Sequence, residues 1–350
     1  ELKDAIAPRT ALLVVGALLI QLLFIWSYVM AFHEPTPHGV QVAVVTSPTD
    51  EVHVIDGLNM LPGHPLEASS ASSLSTARSQ LQDRKVAGIF LPSTVSTTDQ
   101  LVVLSAASPS AALAVTAAFE KIDRSLHRTV EVDDLLAPLP SDRQSLTSFY
   151  LVVGWIVGGY VVASLLGISF GSRPANSRRA VIRVGALILY ALASGLLGAL
   201  LVGPVLHALP SHVGSLWWLG ALLVFSVSVF TLALQVAFGT LGIGVTILLF
   251  VVLGNPSAGG PYAWSLLPGF WRRIGPWIPN GAGTDAARSL SYLGGAAITR
   301  DVLVLVVYAL LGLLVTFLIV GITRRSLVRL PGDSRDLVEP LHPVADEVAS

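Results

Sequence analysis

The 350-residue sequence has no cysteine. Disulfides, thiolate metal sites, cysteine nucleophiles and iron–sulfur clusters are therefore excluded together. Charge is scarce as well: Asp, Glu, Lys and Arg make up 12% of the chain, against roughly 25% in a soluble domain. Lysine occurs only at Lys3, Lys85 and Lys121, so the basic side is nearly all arginine, in keeping with a GC-rich bacterial genome. A net charge of −1 supplies no electrostatic footprint for nucleic acid. Apolar residues are what is abundant, at 53% with a further 31 glycines and a mean hydropathy of +0.72. This composition excludes an ordinary cytoplasmic enzyme and a disordered chain, and its excess apolar surface requires lipid. The first residue is Glu1 rather than Met, which reads as a trimmed start.

A membrane-crossing helix needs about 20 mainly apolar residues to cover roughly 30 Å of hydrocarbon. Charge-free runs at residues 11–32, 149–170 and 184–209 meet that requirement. The first is long for the apolar part of a signal peptide and ends in a poor cleavage site, Ala31-Phe32-His33-Glu34, so it is read as a span. Residues 216–254 form a stretch of 39 without a charge, about 58 Å as one helix and nearly twice the bilayer core. Two helices are predicted there, 216–238 and 239–254, broken near Gly239 and Gly242. With residues 301–322 the expected number of spans is six.

Arg and Lys in short loops set orientation. Lys3 and Arg9, then Arg173, Arg178, Arg179 and Arg183, then Arg324, Arg325 and Arg329 all fall on one side of such a chain. Both termini are therefore expected in the cytoplasm, with residues 1–10 an amphipathic start, 171–183 a basic loop and 323–350 a tail. The expected fold is an α-helical polytopic membrane protein with six transmembrane helices, an extracytoplasmic α/β domain between helices 1 and 2, and short re-entrant helices between helices 5 and 6. Arg272, Arg273 and Arg288 run against the charge rule and are read as part of a folded external cap.

The external domain, residues 33–148, carries buried-strand patterns at 40–45, 86–92 and 100–104 and helical patterns at 73–84 and 111–128. Its carboxylates, Asp50, Glu51, Asp56, Asp133 and Asp134, lack regular ligand spacing and read as a solvated surface. The segment 255–300 holds Pro256, Trp264, Pro268, Gly269, Phe270 and Trp271, a mixture suited to the headgroup region. Further on, Asp285 and Arg288 stand three apart, spaced to pair on one helix face. These eight residues are the candidate external gate.

The spans hold no Asp, Glu, Lys or His away from their ends, which argues against ion coupling. No glycine directly precedes a lysine, so the phosphate-cradling G-x-x-x-x-G-K-[ST] loop is absent. Gly167-Ile168-Ser169-Phe170-Gly171 matches G-x-S-x-G, but an apolar helix replaces the required strand and the match reads as chance. His207 and His212 read as turn polarity rather than a metal site. Gly154 and Gly158, with Gly159 beside them, and Ser194 and Gly198 have the spacing of close helix packing, within one chain or between copies. Pro204 predicts a kink.

This order of parts resembles the permease subunits of ABC-2-type (type-2 class) ABC transporters, and is similar in particular to the phage infection protein-like branch of bacterial membrane proteins. The resemblance covers nearly the whole chain. It rests on Asp142-Arg143 ahead of Phe149-Tyr150, Gly158-Gly159-Tyr160, Asn255-Pro256-Ser257, the run from Leu266 to Trp271, and Asp285 to Arg288. It implies a multi-pass protein of the bacterial plasma membrane that forms a homodimer or pairs with a related permease. A separate ABC ATPase subunit would carry ATP and Mg, leaving this chain without a cofactor or catalytic residues. Residues 1–9 and 172–179 match the coupling positions, with Arg173, Arg178 and Arg179 as candidates. The expected function is ATP-driven export of lipid-like, peptide or drug-like amphipathic molecules; the alternative is a surface receptor or secretion accessory acting through the external domain without transport.

Overall fold

The structure is a computed structural model that describes residues 8–172, 174, 176–210 and 212–328. Arg173, most of the amphipathic start and nearly all of the tail lie outside the described residues. The first helix, α1 (Pro8–Phe32), has no charged residue in its last turn and leads directly into a mixed α/β domain. That domain runs β1 (Val40–Val44), α2 (Pro48–Asn59), β2 (Leu66–Ser70), α3 (Leu74–Gln82), β3 (Gly88–Leu91), β4 (Thr98–Val103), α4 (Pro109–Ser125) and β5 (Thr129–Asp134).

The strands form one sheet in the order β2-β1-β3-β4-β5. All neighbours are parallel except β3 and β4, which pair antiparallel with Gly88 opposite Val103. Val40, Val42, Val44, Phe90 and Leu101 turn to the face covered by α2 and α4, where Phe90 stacks on Phe119 at 4.2 Å. Ala43, Ile89 and Val102 turn to the other face, against Ala77 and Leu81 of α3. Helices on both faces explain why β1 and β3 read as continuous apolar runs. The edge strands could not be read that way. β2 is Leu-Glu-Ala-Ser-Ser, with only Leu66 and Ala68 buried, and β5 is Thr-Val-Glu-Val-Asp-Asp, largely exposed and acidic, as a protected sheet edge requires.

The chain then re-enters the helical bundle through α5 (Thr147–Phe170), α6 (Ser177–Leu200), α7 (Val213–Phe238) and α8 (Leu241–Ile247). A short helix, α9 (Gly269–Ile274), and a buried one, α10 (Pro279–Tyr292), precede the last, α11 (Thr299–Val328). Five of these helices (α1, α5, α6, α7 and α11) are long and apolar enough to cross a bilayer, which makes this a multi-pass membrane protein. The expected span 239–254 differs: it is a shorter apolar helix, Leu241–Leu253, whose second half, Leu248–Leu253, is wound as π-helix. At 1.5 Å per residue it covers about 20 Å. The break before it falls where the glycines placed it. Gly239 takes φ +65°, and a Cβ on Gly242 would collide with the carbonyl of Leu234 as the two helices fold back on each other.

α7 is the most buried of the long helices and packs against α5, α6 and α11. Each neighbour approaches it at a glycine: Gly159 of α5 beside the Val224 carbonyl, Gly195 of α6 beside the Ala221 nitrogen, and Gly312 of α11 beside the Phe230 nitrogen. Added Cβ atoms would stand 3.1, 2.5 and 2.7 Å from those backbone atoms. α6 ends in a π-helical turn, Leu201–Val205, that contains Pro204. Proline has no N–H to donate, and the ladder is carried past it by the Leu206 N–H bonding the Leu201 carbonyl at 2.9 Å.

Candidate functional site between the sheet domain and the helix bundle

Because α8 returns the chain toward the sheet domain, residues 254–298 fold as a cap wedged between that domain and the bundle. Hydrogen bonds stitch the two together: the His38 N–H donates to Ser265 O at 2.9 Å, and the Ala263 N–H to Ser110 Oγ at 2.9 Å. Arg272 Nη1 donates to His38 O at 3.0 Å. α10 is buried along nearly its whole length and meets α5, α7 and α11, with Gly283 set against Val152 and Leu223. Asp142 ties the entry of α5 to this helix. Its carboxylate accepts from the Thr147 N–H and hydroxyl at 3.0 and 2.8 Å and from the Tyr292 hydroxyl at 2.8 Å. Burial, followed by the bond to Asp142, raises the Tyr292 pKa well above the ordinary phenol value.

The strongest link is ionic. Arg84 follows α3 with φ +59°, a position where glycine is usual. Its guanidinium reaches across the chain to Asp285 Oδ1 at 2.5 Å, the Asp285 carbonyl at 3.1 Å and the Ala296 carbonyl at 3.1 Å. Arg300 meets Asp285 Oδ2 at 2.9 Å and Asp301 Oδ1 at 2.6 Å, and lies 5.1 Å from the ring centre of Trp264. Asp301 is fully buried at the start of α11. One carboxylate of the cap thus joins the sheet domain to the last long helix.

The sequence spacing paired Asp285 with Arg288. The structure pairs Asp285 with Arg84 and Arg300 instead. Arg288, 4% exposed, donates to the carbonyls of Ser145, Gly259 and Gly260 at 3.2, 3.3 and 3.3 Å. Neighbours three apart on a helix share a face, but a guanidinium from another domain reaches the Asp285 carboxylate first. Burial lowers the Arg288 pKa from its ordinary value, and the nearby Arg84 charge adds to that, while Asp285, Asp142 and Tyr292 oppose it.

These groups surround a cavity of ≈ 410 Å³ between sheet domain and cap. Of the eight gate candidates, Trp264, Asp285 and Arg288 line it. Pro256 is buried in the turn after α8. Pro268 and Gly269 start α9, Phe270 is exposed, and Trp271 packs with Ala31 and Leu267 under the end of α1. Arg84, Lys85 and Arg300 were not singled out from sequence as site residues; two hundred residues separate Arg84 from its partner, and no local pattern signals such a contact.

The other candidates lie elsewhere. Arg178 and Arg179 are exposed in the first turn of α6, at the bundle end opposite the sheet domain, and Asn176 Oδ1 caps that helix by accepting from the Arg179 N–H at 2.9 Å. Gly154 faces open space, and Gly158 lies against the Tyr190 hydroxyl. Gly159 makes the α5–α7 approach, while Gly198 and the Ser194 carbonyl receive the indole of Trp155, whose Nε1 donates to Ser194 O at 3.1 Å. Ser169 is exposed at the end of α5. Among the described residues, no group of three His, Cys, Asp or Glu side chains is placed to hold a metal ion. No family model, no curated protein and no solved structure matches the chain.

Proposed function

We propose that this chain is the permease subunit of an ATP-driven exporter of amphipathic molecules, working as a homodimer or with a related permease and powered by a separate ABC ATPase that holds ATP and Mg. The observation that carries this reading is the ionic clamp from Arg84 through Asp285 and Arg300 to Asp301. It couples a folded domain outside the bundle to the start of a long apolar helix, so a movement of that helix is transmitted to the cavity above it. The lack of a phosphate-cradling loop in these 350 residues supports placing ATP hydrolysis on a partner.

The clamp also bears on topology. Asp285 lies after α7 and α8, yet it grips a residue of the sheet domain. This supports a chain that returns to the domain's side of the membrane through α8, for six crossings of which the fifth is a short one. About 20 Å of helix falls short of roughly 30 Å of hydrocarbon, a mismatch met by thinning the bilayer or seating the cap's aromatics in the headgroup layer. Arg178 and Arg179 supply the docking face for the ATPase. Positive charge in the first turn of a helix opposes the helix dipole and costs roughly 0.3–1 kcal/mol per residue, so these arginines are not placed there for the helix's own stability. They suit a cytoplasmic position in the bacterial plasma membrane and an acidic partner surface.

Co-purification tests the reading. An ABC ATPase expressed with the full chain should be retained by it, and Arg178→Glu with Arg179→Glu should abolish retention without changing the amount of folded chain in the membrane. Retention that survives the double change removes the assigned docking face; failure of every co-expressed ABC ATPase to bind the unaltered chain removes the exporter reading. One observation favours the receptor or secretion-accessory alternative: the cavity is lined by the sheet domain, the cap and the first residues of α11. Deleting residues 36–146 separates the two, since ATPase binding persists in the exporter and all function is lost in the receptor.

A further inference from the structure

We infer that the cavity between sheet domain and cap is a binding site for an amphiphilic anion with a phosphate head. This goes beyond the transport reading and does not depend on it. The wall carries Arg84, Lys85, Arg288 and Arg300 against Asp83 and Asp285, so positive charge is in excess. Lys85 is held by Asp83 at 3.0 Å, and Asp285 is consumed by Arg84 and Arg300. That leaves Arg288 with no carboxylate within 4.0 Å among the described residues; its bonds are to carbonyls at 3.2 to 3.3 Å, the long end of the hydrogen-bond range. A guanidinium 4% exposed and without a directly paired carboxylate is costly. The Nε–H groups of both Arg288 and Arg84 are buried and have no acceptor among the described residues. The side chains of Arg288 and Arg84 line the cavity from different elements, and the repulsion between their charges favours an anion between them.

A phosphate has three terminal oxygens and can accept from both edges at once, in the charge-assisted geometry that guanidinium favours. Leu81, Val86, Leu104, Ala111 and the Trp264 ring give the wall an apolar part, beside the polar Gln41, Ser108 and Ser265. A volume of ≈ 410 Å³ lies within the ordinary range for small-ligand pockets, roughly 300–1,000 Å³, and holds a head with a short apolar body rather than two full acyl chains. Arg84 keeps its guanidinium there at the expense of a left-handed backbone, as residues at ligand sites often do.

The test uses the full chain in phosphatidylcholine nanodiscs, with hexyl phosphate, hexanol and inorganic phosphate titrated by calorimetry. Hexyl phosphate should bind saturably at one site per chain, about tenfold or more tighter than hexanol or inorganic phosphate, the worth of one charge-assisted hydrogen bond or more. Arg288→Lys should weaken it about tenfold. Ala107→Trp, which takes up cavity volume from the wall while leaving every clamp residue in the sequence, should abolish binding while the melting temperature stays in place. Nanodiscs containing phosphatidic acid identify the source. Competition with hexyl phosphate marks a lipid headgroup reaching the cavity from the bilayer, and its absence marks a soluble phosphate ester; both uphold the site. No binding of hexyl phosphate, or binding unchanged by Ala107→Trp, overturns it.

Discussion

At the scale of single residues, glycines that look alike in sequence differ sharply in what surrounds them. Gly154 has nothing within 4 Å of an added Cβ, whereas Gly195 would place one 2.5 Å from the Ala221 backbone nitrogen. Gly154→Ala should therefore leave the fold intact and stabilise it by up to about 1 kcal/mol through helix propensity. Gly195→Val should cost about 1–3 kcal/mol or more by forcing α6 away from α7. Thermal unfolding in detergent checks both, and equal effects would contradict the packing. The G-x-x-x-G spacing was legible; which glycine meets a backbone was not, because that depends on the partner helix.

Asp123 offers a second residue-scale test. It is buried, and burial together with the Asp99 charge raises its pKa to about 6, partly offset by Arg128. A carboxyl whose folded pKa lies above its unfolded value, here 3.8, contributes stability that is complete below the unfolded value and lost as pH rises through about 6. The sheet domain should thus lose stability between about pH 4 and pH 6. Asp123→Asn should flatten that dependence and hold the melting temperature at pH 7.5 at or above that of the unaltered protein. A pH profile left unchanged by the substitution would show that Asp123 does not titrate in this window.

At the scale of elements, the sheet domain and cap behave as one unit because Arg84 joins them. Removing one member of a largely buried ion pair costs about 3–5 kcal/mol, so Arg84→Ala should free the cap and expose residues 255–298 to limited proteolysis. Arg84→Gly should be milder by about 1 kcal/mol, since glycine adopts the positive φ without penalty. Equal protease resistance in Arg84→Ala and the unaltered protein would mean that the clamp does not hold the cap. Elements buried on both sides were readable from their runs: β1, β3, β4 and the long apolar helices. The edge strands β2 and β5 and the helix α2 escaped, since their polar residues carry no period that separates them from loop. The short helix α8 was placed correctly in sequence but expected at span length. Its length is set by where the cap must sit, a constraint that no local pattern contains.

At the scale of the whole molecule, composition established a membrane protein before any element was placed, and the five long apolar helices agree. The cavity and the clamp were beyond the sequence, because they are assembled from residues 39 to 300 by chain return rather than by spacing. What unites these features is the arrangement proposed above: sheet domain and cap together on one face of the membrane, basic loop and the α7–α8 turn on the other. The sequence has no cysteine, so single cysteines can be introduced and read without background. Val95→Cys in the sheet domain and Trp277→Cys in the cap are exposed positions, as are Ser177→Cys at the start of α6 and Thr240→Cys between α7 and α8. Treated as intact cells with a membrane-impermeant maleimide, the first two should label and the last two should label only after lysis. Labelling of Val95→Cys and Trp277→Cys from opposite sides of the membrane would contradict the account.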